Sequence, residues 1–204
     1  MVKVLFICHG NICRSPMAEY LLREMVRRQG LAAQFQIASA ATSREEIGND
    51  VYPPARAELR AHGIPVGHRA AVQVTPRDYD AYDWLLTMDE NNARNLRRIL
   101  PHDPDGKIRA LLSFAGLQRG IADPWYTDDF GTTYDDLVLG CTAPPRRYLK
   151  RMTAPAGAVI LSLDTFTPTS VGGQTARSSR RRRRRKTSAL ATAAPAPAAA
   201  GRDT

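Results

Sequence analysis

The segment VLFICHGNICRSP sets Cys8, Cys13 and Arg14 between an apolar run and a helix-forming one. A thiolate is a strong nucleophile. A guanidinium is a planar fork that binds two oxygens of a tetrahedral anion. Gly10 and Asn11 tolerate the unusual dihedrals of a tight curl. Successive N–H groups of such a curl point inward as an anion nest, with the positive end of the following helix behind them. Together with Arg14, those dipoles favour the ionised form of Cys8. Ser15 can donate a hydrogen bond to the sulfur when it departs. The loop reads as a cradle for phosphate, with Cys8 aimed at phosphorus and His9, Gly10, Asn11, Ile12, Cys13 and Ser15 around it. Taken alone, it also fits a buried core thiol in an ordinary turn. Neither Gly-x-x-x-x-Gly-Lys nor Gly-x-Gly-x-x-Gly is present, which argues against a nucleotide loop.

Displacing a phenolate from phosphorus requires a proton donor, for which a carboxylic acid on a loop is suited. GIADPWYTDDF offers Asp123, held extended by Pro124. Trp125 and Tyr126 beside it are placed to wall an aromatic substrate. By itself the same stretch also fits a simple turn with its aromatics packed inward.

The elements around these residues follow from periodicity. VKVLFIC is a continuous apolar run, the pattern of a strand buried on both faces. MAEYLLREMVRR puts Met17, Tyr20, Leu21 and Met25 on one helical side, with Pro16 at the first helical position and Gly30 as the stop. FQIAS, YDWLLTM and KIRALLSF read as three further strands. YPPARAELRAHG, a short turn capped by Thr75, and DENNARNLRRIL capped by Asp89 read as helices between them. A last helix is expected from Thr132 or Thr133, with a kink or early stop at Pro144 and Pro145. Alternating strands and helices predict an α/β fold: a four-stranded parallel sheet with helices on both faces and the phosphate loop after strand 1. Ligands of such sheets bind beyond the carboxyl ends of strands, where Cys8 falls.

Charge divides the chain. Residues 1–153 carry 20 Lys and Arg against 18 Asp and Glu, whereas residues 154–204 carry 9 against 2. The first part is the expected folded domain. The second is rich in Ala, Pro and Arg and is expected to be disordered. Its run from Arg180 to Lys186 suits weak, non-specific contact with nucleic acid or another acidic surface, or else is a solvated run without a partner. No aromatic residue follows Phe166, so base stacking is not expected. Three cysteines do not suggest a secreted disulfide framework. The apolar run after Met1 ends too soon for a signal peptide, and no stretch approaches the ~20 apolar residues of a membrane span. The expected setting is the reducing cytoplasm, with no membrane contact.

VLFICHGNICRSP, IASAATSREEIGN, HGIPVGHRAAVQVT, LLTMDENNARNL and IADPWY, in this order, resemble the low-molecular-weight protein tyrosine phosphatases over about residues 2–150. The resemblance implies hydrolysis of phosphotyrosine proteins through a cysteinyl-phosphate, with neither metal nor organic cofactor. It implies Cys8 as nucleophile, Arg14 as phosphate and transition-state binder, and Asp123 as acid and then base. It further implies that Asn11, Ser15, Ser39 and His68 form the network that holds the loop, and that MDENN supports the site. A second cysteine at the spacing of Cys13 can pair with the nucleophile in this family and shelter it from over-oxidation; filling space under the loop is the alternative. Relatives that act on phosphoarginine tend to carry threonine where Ile12 stands, which favours tyrosine here. Where many relatives place an aromatic wall residue, this chain has Arg44, Glu45 and Glu46.

Overall fold

The structure is a computed structural model that describes residues 1–143. The expected tail, its basic run at residues 180–186, and Pro144 and Pro145 lie outside the described residues.

Strand β1 (Val2–Cys8) leads through the cysteine loop into helix α1 (Arg14–Arg28). Then follow β2 (Phe35–Ala41), α2 (Pro53–Ala61), α3 (Pro76–Ala81), β3 (Trp84–Thr87), α4 (Glu90–Ile99), β4 (Ile108–Ala110), α5 (Pro124–Thr127) and α6 (Phe130–Thr142). The four strands are all parallel, in the order β2-β1-β3-β4. β1 is therefore central, paired on both sides, and its end is the natural switch point for a site.

The alternation of β1 builds two cores. Val4, Phe6 and Cys8 pack with Met17, Leu21 and Met25 of α1, Leu59 of α2 and Leu137 of α6. Leu5 and Ile7 face the other way and pack with Leu85 and with Leu96 of α4. Phe6 and Ile7 have no exposed surface, and burial of such a side chain is worth about 1.5–3 kcal/mol. These two layers clamp the strand whose last residue is Cys8.

Three boundaries differ from the sequence pattern. α1 begins at Arg14, two residues before Pro16; a first-turn proline lacks only an N–H that has no helical partner anyway. α6 begins at Phe130, because Asp129 caps it by accepting the Thr132 N–H at 2.8 Å. KIRALLSF is a strand only over Ile108–Ala110 and then turns into a 3-10 helix, Leu111–Ala115. There, Gly140 of α6 packs so closely on Leu111 that an added Cβ would lie 2.5 Å from its Cγ. Docking of α6 decides the path of this apolar run.

Candidate active site

Cys8 ends β1 with its sulfur 3.0 Å from Ser15 Oγ, and it accepts the Asn11 backbone N–H at 3.3 Å. To bring that N–H around, Asn11 adopts φ 59°, a left-handed conformation that side chains other than Asn and Asp largely avoid.

A buried network holds this turn. The Asn11 side-chain oxygen accepts from Arg69 Nη2 at 2.8 Å and from the Val72 N–H at 3.2 Å. This fixes the amide orientation, so Asn11 Nδ2 donates to Ser15 Oγ and Ser39 Oγ, each at 2.8 Å. The Ser39 hydroxyl donates to Glu19 at 2.5 Å, and Glu19 is paired with Arg23 at 2.8 Å. Ser15 Oγ, which accepts from Asn11, is also within hydrogen-bond distance of the Cys8 sulfur. The sulfur thus lies within reach of both the Asn11 N–H and the Ser15 hydroxyl.

The structure brings Asn11, Ser15 and Ser39 together, whereas His68, expected beside them, is placed away from the loop. Its side chain is 96% exposed and its Nδ1 pairs with Asp50 at 2.7 Å. The neighbouring Arg69 reaches the loop instead, donating also to the Asn11 carbonyl at 3.0 Å. Of these two neighbours, the inward one is arginine.

Arg14, 2% exposed, is held by three acceptors. Nη1 donates to Asp89 Oδ2 at 2.5 Å and to the Ile121 carbonyl at 3.1 Å, and Nη2 donates to Asp123 Oδ2. Asp89 is also the N-cap of α4, accepting the Asn92 N–H at 2.7 Å. Asp123 caps α5 through the Trp125 N–H at 3.2 Å, in the extended conformation expected before proline. The guanidinium is therefore positioned by two helix-capping carboxylates.

Tyr52 ties the two loops together. Its N–H donates to the Ile12 carbonyl at 2.9 Å, and its ring lies 5.1 Å from that of Trp125 and 6.1 Å from that of Phe130. Nothing in its sequence context signals this role. The same holds for Glu19 and Arg69, which a helix pattern and an unpatterned stretch supply.

A narrow cleft of about 170 Å³ opens over the loop, lined by Cys8, Ile12, Arg14, Asp123, Trp125 and Tyr126 among others. Cys13, His9, Gly10, Glu45 and Glu46 complete it. His9 Nε2 pairs with Glu45 at 2.9 Å, whereas an added Cβ on Gly10 would come within 3.0 Å of Glu46 Cγ. Cys13 is a free, buried thiol; burial, followed by the charges of Cys8 and Asp123, pushes its pKa up to about 12. Burial does the same to Cys141 on α6. Among the described residues no three His, Cys, Asp or Glu side chains converge as metal ligands. No described helix is long and apolar enough to cross a membrane.

A nucleophilic sulfur in an amide-lined turn, a guanidinium beside it and a carboxyl at the cleft wall make up the equipment of a cysteine-dependent phosphoric monoester hydrolase. The family described as low molecular weight phosphotyrosine protein phosphatase matches residues 3–147, and the chain belongs to that family. A low molecular weight phosphotyrosine protein phosphatase of Homo sapiens is 41% identical over 146 residues, 69% of this chain and 92% of that protein. The crystal structure of YfkJ from Bacillus subtilis superposes with a TM-score of 0.69 at 31% identity, covering 75% of this chain and 97% of that one. That of DARP, a drosophila arginine phosphatase, gives 0.64 at 25% identity, covering 76% and 100%. The chain is thus a cysteine-dependent protein-tyrosine phosphatase by family.

Proposed function

We propose that the protein hydrolyses phosphotyrosine in protein substrates through a cysteinyl-phosphate on Cys8. The observation that carries this reading is that Cys8, Arg14 and Asp123 line one cleft, with Asp123 bonded to Arg14. Arg14 and the loop amides of residues 9–15 bind the phosphoryl oxygens. The Cys8 thiolate attacks phosphorus, the bond to the phenolic oxygen breaks, and Asp123 protonates that oxygen as it leaves. Asp123, now a carboxylate, takes a proton from water. The water oxygen bonds to phosphorus and the phosphorus–sulfur bond breaks. The Ser15 hydroxyl stabilises the returning thiolate, while charge on the phosphoryl oxygens is met by fixed donors that need no reorganisation.

Ile12, Trp125 and Tyr126 give the cleft apolar walls suited to a flat aromatic ring, so tyrosine is the favoured substrate residue over arginine. We assign the catalytic unit to residues 1–153 and treat residues 154–204 as an appendage. We place the enzyme in the cytoplasm, where a reducing medium preserves its thiols.

The test is phosphate release, in EDTA, from matched phosphotyrosine and phosphoarginine peptides by wild type and Cys8→Ser. Faster release from phosphotyrosine that vanishes in the variant is expected. Preference for phosphoarginine overturns the substrate assignment, and release that survives Cys8→Ser overturns the mechanism.

A further inference from the structure

A second cavity, about 950 Å³, opens from the cleft and shares His9, Arg14, Asp123 and Tyr126 with it. Its far wall is one stripe of α4, where Asn91, Arg94, Asn95 and Arg98 follow at helical spacing. Its floor is the backbone at Gly120, where an added Cβ would meet Asp89 Cβ at 2.9 Å.

The charges in this groove are unequally matched. The carboxylates of Asp89 and Asp123 are both taken by Arg14, and Glu90 pairs with Arg97 at 3.4 Å. Among the described residues Arg94 donates to the neutral Asn91 amide alone. Among the described residues neither Arg94 nor Arg98 is paired with a carboxylate, and both are exposed. The rim of the cleft itself carries Glu45 and Glu46. The groove thus offers two exposed arginines with no carboxylate partner among the described residues, whereas the other rim offers carboxylates.

We propose that the α4 groove docks an acidic flank of the phosphoprotein substrate on Arg94 and Arg98, which gives the enzyme a directional preference for Asp or Glu on one side of the phosphorylated residue. This rests on the phosphatase reading above and names the substrate class it acts on. An extended flank advances about 3.3 Å per residue, so positions a few residues from the phosphorylated one reach beyond the cleft. Salt weakens the effect, because both arginines are solvated.

The test uses the full chain carrying Cys8→Ser and fluorescent phosphotyrosine peptides with a Glu run before, a Glu run after, or Gln runs on both sides. Anisotropy gives the Kd of each, and wild type gives kcat/KM for the same peptides. One Glu peptide is expected to exceed the Gln peptide by about three- to tenfold, the span of two exposed ion pairs. Arg94→Gln with Arg98→Gln should abolish that gain while leaving the Gln peptide and p-nitrophenyl phosphate unchanged. No gain for either Glu peptide, or a gain that survives in the double variant, overturns the proposal. A Glu preference in binding without turnover would leave the docking in place and remove the phosphatase reading. Turnover without a Glu preference does the reverse.

Discussion

The Ser15 hydroxyl lies 3.0 Å from the Cys8 sulfur while its oxygen accepts from the Asn11 amide at 2.8 Å. A thiolate carries no proton, so once Cys8 is ionised this contact is a donation from the serine in the first turn of α1. Its largest effect should come when the thiolate leaves. Ser15→Ala is expected to lower kcat about tenfold to a hundredfold, the worth of one hydrogen bond to a charged group. A pre-steady-state burst should grow in this variant, as the phosphorylated enzyme accumulates. Stopped-flow measurement with p-nitrophenyl phosphate checks both.

Arg69 and His68 are neighbours with opposite surroundings. Arg69→Met removes the side-chain donors to Asn11, leaving only the Val72 N–H on its side-chain oxygen and taking one partner from its carbonyl. It should cost about 1–3 kcal/mol of stability and lower kcat with it. His68→Ala should stay within about 0.5 kcal/mol of wild type, as surface substitutions do. Urea melts paired with kcat decide between the two. Equal losses would return His68 to the loop network.

Asp123→Asn removes the proton donor but keeps an N-cap on α5. The loss should therefore follow the leaving group. With phenyl phosphate, kcat should fall about a hundredfold to ten-thousandfold, whereas p-nitrophenyl phosphate, whose phenolate needs less protonation, should suffer far less. A uniform loss would make Asp123 a positioning partner of Arg14 only. Asp89→Asn, which also keeps its cap, should instead lower kcat/KM about tenfold for both, by loosening one charge-assisted bond to Arg14.

Stability in acid should depend on Glu24. The Arg27 side-chain bond at 2.7 Å, with a further bond from Arg28, holds its carboxyl down at about 2. A depressed carboxylate stabilises the fold above its unfolded pKa of about 4.3 and loses that contribution as pH falls toward 2. Because Arg27 is largely solvated, the contribution is set at about 1 kcal/mol. Glu24→Gln should be less stable than wild type at pH 7, and the gap should narrow between pH 4.5 and 3. A gap that stays constant over that range contradicts this.

What the sequence made legible is what lies close along the chain. Cys8, Asn11, Arg14 and Ser15 belong to one strand–loop–helix unit, and the cap Asp89 and the extended Asp123 before Pro124 follow from their own neighbours. Partnerships across the chain were not legible. Nothing near Tyr52 points to Trp125, and the inward turn of Arg69 rather than His68 depends on the register of a stretch with no hydrophobic alternation. KIRALLSF has the composition of a strand throughout. Its break after Ala110 comes from the close approach of Gly140 to Leu111, a contact between distant segments.

The central claim, that Cys8 carries the phosphoryl group, is tested most directly by quenching Ser15→Ala in acid during turnover of p-nitrophenyl phosphate. Mass spectrometry of the digested protein then locates the phosphate. A phosphate adduct on the peptide bearing Cys8, absent from Cys8→Ser and lost on longer incubation, is the predicted result. Steady turnover with no adduct on that peptide, or an adduct on another residue, would contradict it.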